Sequence, residues 1–233
     1  MKFGLLLLPA AALAALLSSC ATDSHYVDAT DTTVAVKNKT RMSSSDWVVI
    51  TQDAGNALLA SPLFEEYLAA YKMDAEAALK EAEAAGEKIT TREKISAMKP
   101  LLMLSTIQNN TSEHIDSKLL TERLREILFN SGKVRFTTYA AGSGQSIDAA
   151  TAQARQLSKD PNIKKRTSMK KGTVNAYDLS LAGVIIKQTA QDGRNNEMSY
   201  TFSLTLTDNS TGEGVWTFTK EIKRQHTQGG FSW

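Results

Sequence analysis

The sequence predicts a mixed α/β (α+β) domain, a small mixed β-sheet flanked by helices, from three features of its pattern. A strand, an amphipathic helix and a second strand follow one another across residues 100–139, the order of a βαβ unit with a parallel pair beneath a helix. Three strand-like runs close the chain. In the second, Tyr200, Phe202, Leu204 and Leu206 alternate with Thr201, Ser203, Thr205 and Thr207. The last two runs are joined by DNSTGEG, whose two glycines signal a hairpin.

The chain begins MKFGLLLLPAAALAALLSSC. Lys2 supplies a positive start and residues 5–17 an apolar stretch of signal-peptide length, short of the ~20 residues that span a bilayer as a helix. Leu17-Ser18-Ser19-Cys20 resembles the bacterial lipobox. That resemblance implies a signal peptide over 1–19, cleavage before Cys20, and a Cys20 carrying acyl chains such as palmitate on its sulfur-linked glycerol and its amine. Two chains suffice for stable anchoring at about 0.8 kcal/mol per buried methylene. Ala21 stands where an inner-membrane retention signal would place Asp, so the outer membrane is the expected address, with the domain facing the periplasm.

Cys20 is the only cysteine, so no intramolecular disulfide is possible and stability must come from a packed core. With 27 Lys and Arg against 25 Asp and Glu, no overall charge points to nucleic acid or another polyanion. Residues 20–43 are rich in Thr, Asp and Lys and poor in large apolar side chains, the composition of a flexible tether.

The folded domain is expected over 44–233. Ser44 or Ser45 is a plausible cap for a first helix with Trp47, Ile50, Ala54, Ala57 and Leu58 at helical spacing. Pro62 interrupts it. A second helix is expected over 63–85, apolar at Leu63, Tyr67, Leu68, Tyr71, Ala75 and Leu79, exposed along its Glu/Lys/Ala half and ended by Gly86. PLLMLSTIQNNT reads as a buried strand ending in turn residues. Asp116 caps the next helix, whose apolar face is Leu119, Leu120, Leu124, Ile127 and Leu128 and whose stop is Gly132. A strand follows at 134–139, then a helix over 147–158, a basic loop, and the three closing strands beginning at Leu179, Met198 and Gly214.

No catalytic constellation stands out. His25, His114 and His226 are scattered without metal-ligand spacing, and Gly142-Ser143-Gly144 fits neither a nucleophile elbow nor a P-loop. The glutamates of the second helix read as a solvated face balanced by Lys72, Lys80 and Lys88. Lys164, Lys165, Arg166, Lys170 and Lys171 form the one basic run, a solvated loop or a surface for an acidic partner. Trp216 and Phe218 read as core positions of a terminal strand. An enzyme is therefore not expected, nor a metal or cofactor.

Several stretches together resemble the LpoB-type penicillin-binding protein activator lipoproteins: the lipobox, Asp46-Trp47, LLMLSTIQNNTSEHID, SKLLTERLREILFNSGKVRFT, VNAYDLSLAGVI and LTLTDNSTGEGVWTFTKEI. The resemblance implies a fold like the N-terminal domain of the TolB translocation protein, with residues 62–99 as a helical insertion. It further implies an outer-membrane lipoprotein that binds and stimulates a bifunctional penicillin-binding protein, a peptidoglycan synthase, in cell-wall synthesis. Asn109, Asn110, Thr111, Lys164, Lys165 and Arg166 are the candidate partner-binding residues. The other reading is a structural subunit of an envelope assembly or secretion complex on the same fold.

Overall fold

A computed structural model describes residues 41–137, 176–193 and 195–227. The elements run α1 (Ser44–Leu59), α2 (Pro62–Ala84), α3 (Thr91–Ala97), β1 (Leu101–Leu104), β2 (Gln108–Asn110), α4 (Ser117–Asn130), β3 (Arg135–Phe136), β4 (Leu179–Asp192), β5 (Asn195–Asp208) and β6 (Gly214–Thr227). The sheet is mixed, in the order β3-β1-β4-β5-β6, with β2 also on β4. Strands β1 and β3 pair in parallel, as the βαβ pattern predicts, with α4 between them in the chain. Strands β4, β5 and β6 form the antiparallel meander. The expected helix over 147–158, residues 138 and 139 of the expected strand, and the basic run lie outside the described residues.

Local chemistry sets the helix ends. Helix α1 is capped by Ser43 rather than Ser44 or Ser45: Ser43 Oγ accepts from the Asp46 N–H while Asp46 Oδ2 accepts from the Ser43 N–H. A capping box needs its acid three residues after the cap, and only Ser43 has Asp46 at that distance. Helix α2 starts at Pro62, where the missing N–H does no harm, and closes with the Gly86 N–H bonding Glu83 O and the Glu87 N–H bonding Ala82 O. Gly86 follows the cap residue Ala85 at φ +86°, the left-handed conformation this ending requires. The seven-residue α3 was not foreseen, although its Thr90 and Glu93 capping box is written in the chain.

Side-chain faces follow the expected periods with two exceptions. Leu204, Leu206, Phe202 and Tyr200 of β5 are all buried, facing Ile50, Ala54 and Leu58 of α1, Leu120, Leu124 and Leu128 of α4, and Phe64 of α2 in one core cluster. Leu63 and Leu119, expected inside, are largely exposed. Each lies one residue, and so about 100° of helix turn, off the buried position beside it, Phe64 and Leu120. Trp216 and Phe218 are half-buried against this core and stack on one another with centroids 6.1 Å apart. Beyond Phe64, α2 buries none of its side chains fully, so its Glu/Lys/Ala half is exposed as expected.

Strands β1 and β2 pair successively with β4, Leu102–Leu104 against Leu179–Leu181 and residues 108–110 against 184–186. Between them Ile107 turns into the core, its N–H donating to Thr121 Oγ1 at 3.1 Å. Gly183 makes room for this step: a Cβ there would stand 2.6 Å from Leu204 Cδ2 and 3.1 Å from Ile107 Cγ1. Both neighbours are themselves buried, so neither can swing away. Gly183→Ala is therefore expected to destabilise the domain by about 1–3 kcal/mol through overpacking, read as a lower urea midpoint with an unchanged slope.

Candidate functional site

A cluster of polar residues lies where the turn after β2 meets the β4–β5–β6 ribbon. Asn109 shapes that turn: its Oδ1 accepts from the Thr111 N–H at 3.1 Å and from Thr111 Oγ1 at 2.7 Å, and its Nδ2 donates to Glu113 O at 2.8 Å. Thr111 Oγ1 in turn accepts from the Glu113 N–H at 3.1 Å. The Asn-x-Thr spacing thus lets one amide and one hydroxyl close the loop on itself. Asn110 belongs to β2, paired with Ile186, and its side chain is exposed. Of the three expected partner-binding residues here, two hold the turn and one faces outward. Cys20, Lys164, Lys165 and Arg166 lie outside the described residues.

The turn delivers Glu113 into a nearly closed polar cluster. Its Oε1 accepts from Lys187 Nζ at 2.5 Å and from Tyr200 Oη at 2.7 Å, while Lys187 Nζ stands 5.4 Å from the centre of the Tyr200 ring. Trp47 meets Tyr200 edge to face at 5.9 Å. Beside them Arg224 Nη2 donates to Asp46 Oδ2 at 2.6 Å. Lys187 and Arg224 fall at inward positions of β4 and β6, on the rows Leu179, Leu181, Ile185 and Trp216, Phe218, Lys220, Ile222. A cation breaking an inward row was the sequence signal for this cluster.

Burial alone would push the Glu113 carboxyl up. The hydrogen bonds from Lys187 and Tyr200, helped by the charges of Lys187 and Arg41, together outweigh it and hold the group below the ordinary glutamate range. Burial, reinforced by the hydrogen bond to Glu113, raises the Tyr200 hydroxyl well above the usual tyrosine range. The phenol therefore stays protonated and Glu113 ionised at neutral pH, an arrangement that positions a loop rather than one that moves protons. Because the folded-state pKa of Glu113 is depressed, its contribution to stability is present above the unfolded-state value near about 4.3 and is lost as pH falls through the folded value. The difference in urea stability between the native protein and Glu113→Gln should accordingly be largest at neutral pH and shrink steadily below about pH 4.

A concavity of about 590 Å³ lies between α2, α3 and the sheet edge, lined by Tyr71, Ala75, Leu79, Ile89, Arg135 and Asp178 among others. Tyr71 Oη donates to Asp178 Oδ2 at 3.0 Å, and that oxygen also accepts from the Leu101 N–H at 2.6 Å. Its walls carry alanines of α2 and α3, and the Tyr71–Asp178 hydrogen bond spans part of its lining. Among the described residues no group of three His, Cys, Asp or Glu could hold a metal ion, and no helix is long and apolar enough to cross a membrane.

The family model described as peptidoglycan-synthase activator LpoB matches residues 68–222, about two-thirds of the chain. The matched stretch starts inside α2, so it takes in most of residues 62–99, and it contains the turn, Lys187 and Tyr200. No curated protein sequence matches the chain. Among solved structures, the chain is similar to the LpoB C-terminal domain from Escherichia coli, at 15% identity over 53% of this chain and 82% of that one, with a TM-score of 0.29. It is also similar to lipoprotein GNA1162 from Neisseria meningitidis, at 10% identity over 56% and 87% with a TM-score of 0.30. The PelC dodecamer from Paraburkholderia phytofirmans matches at 15% identity over 54% and 72%, with a TM-score of 0.26.

Proposed function

The chain belongs to the peptidoglycan-synthase activator LpoB family, and from that membership we propose that it is an outer-membrane lipoprotein that binds a bifunctional penicillin-binding protein and stimulates it. The observation that carries this reading is the extent of the family match, which runs from within α2 into β6 and so covers five strands whole and the sixth as far as residue 222. On this reading the synthase is contacted through the turn 109–113, a choice supported by the exposure of Asn110 beside internally bonded Asn109 and Thr111. A turn closed by its own side chains is already ordered, so binding through it need not supply that ordering. Lys164, Lys165 and Arg166 are the other candidate contacts, suited by their charge to acidic groups on the synthase. Stimulation requires that the protein bind the active form of the synthase more tightly than the resting form.

The test is a pull-down from detergent-solubilised envelope with the full chain as bait, followed by an activity assay on the synthase recovered. Retention of a bifunctional penicillin-binding protein, with faster glycan polymerisation at roughly micromolar bait, supports the reading. Recovery of other envelope components alone, with no stimulated synthase, overturns it in favour of a structural subunit.

The anchor has its own check. Cys20→Ala should move the protein from the membrane fraction to the soluble periplasmic fraction, because the acyl chains on Cys20 are what holds it there. Retention of the variant in the membrane would refute lipidation at Cys20.

A further inference from the structure

The point where the chain enters the domain and the turn 109–113 are fixed at the same end of the β4–β5–β6 ribbon. Met42 is buried in the core cluster. Asp46 Oδ2 then accepts both the Ser43 N–H at 2.9 Å and Arg224 Nη2 at 2.6 Å, so a single carboxylate oxygen ties the start of α1 to β6. Next to it Trp47 sets its ring against Tyr200. The Tyr200 hydroxyl donates to Glu113, whose own N–H and C=O are bonded to Thr111 and Asn109. A continuous path of packed rings and hydrogen bonds therefore runs from the first turn of α1 to the exposed turn.

The clasp at Asp46 is not fully satisfied. Arg224 Nε is buried with no acceptor among the described residues, a penalty that is relieved when the clasp opens to water. Asn109 and Asn110 are paired with β4, but the residues of the turn beyond them form a short, partly exposed segment held by the Asn109 and Thr111 side chains and by Glu113. Such segments open locally more readily than a core strand.

We propose that the start of α1 and the turn 109–113 open and close as one cooperative unit, so that a pull on the chain before residue 41 loosens the turn. The regulatory meaning rests on the anchored, synthase-binding reading above: a taut tether would weaken the partner surface and a slack one would restore it. The coupling itself does not need that reading.

Amide hydrogen exchange on the full chain tests it, comparing the native protein with Asp46→Asn and Arg224→Met. The reporters are the Thr111 and Glu113 amides, bonded to Asn109 Oδ1 and Thr111 Oγ1. The controls are the Asp208 and Gly212 amides, bonded to Glu213 O and Asp208 O at the other end of β5. Both variants should exchange the reporters about tenfold faster while the controls change by less than about twofold. Unchanged reporters, or reporters and controls accelerated alike, would overturn the coupling. Tyr200→Phe keeps a ring against Trp47 but removes the hydroxyl that reaches Glu113, so adding Asp46→Asn to it should give no further acceleration at the reporters. Further acceleration there would refute this route. A failure of the anchored reading would show separately, as membrane retention of Cys20→Ala.

Discussion

Glu113→Ala is expected to destabilise the domain by about 3 kcal/mol at neutral pH, the larger part of it because Lys187 is left without its carboxylate. The Lys187 side chain is only 16% exposed and that of Glu113 only 9%, so both charges are largely withdrawn from water in the folded protein. Lys187 keeps enough access to water to bend outward in the variant, which sets the loss near the lower end for a broken buried pair. The Tyr200 hydroxyl loses the same acceptor. Replacing both charges at once, as in Glu113→Leu with Lys187→Met, should recover most of the loss, because the desolvation of an unpaired charge disappears with the charge. Urea denaturation of the two single variants and the double variant measures this directly. If the double variant is as unstable as the sum of the singles, the pair is not a coupled unit.

Phe202→Ala should cost about 3–5 kcal/mol, since the ring is removed from the middle of the core and a cavity is left in its place. Phe202 is 1% exposed and lies in register between Ile185 of β4 and Lys220 of β6. The adjacent inward residues of the same strand, Tyr200 and Leu204, are themselves fully buried and cannot collapse onto the site. Phe218→Ala, on the edge strand where the ring is half-buried on Trp216, should lose roughly half as much. Thermal unfolding of the two variants checks the order. Equal losses would mean that the edge aromatics carry as much of the core as the central strand does.

These two residues differ in how far they could be read from the chain. Phe202 was legible, because β-strand alternation is a local property and Tyr200, Phe202, Leu204 and Leu206 fall on one side whatever the strand packs against. The same holds for α1 and α4, whose buried stripes follow the helical period, and for the parallel pair predicted by strand, helix and strand. Errors came where one residue of register mattered, as with Leu63, Leu119 and the Ser43 cap. A helix turns about 100° per residue, so a start misplaced by one position moves a side chain from core to solvent.

The candidate site was half legible. Asn109, Asn110 and Thr111 were picked out, but as a set of contact residues, whereas two of them close the turn with their own side chains. Glu113, Lys187, Tyr200, Asp46 and Arg224 were not assembled. Lys187 and Arg224 did break inward-facing rows, as did Lys220, yet a cation in such a row does not identify its partner.

The sequence by itself determined α1, α2, α4 and the three closing strands, their order, the parallel and hairpin connections and the family, because each depends on neighbours within a turn or a strand pair and on residues read in line. Only the tertiary structure decided which polar groups meet. Glu113 finds Lys187 and Tyr200 at separations of 74 and 87 positions, and Asp46 finds Arg224 at 178. Charge and hydrogen-bonding capacity are visible in a residue's name, but pairing across such distances is settled by the packing of the apolar faces, which brings the groups within reach without regard to their place in the chain.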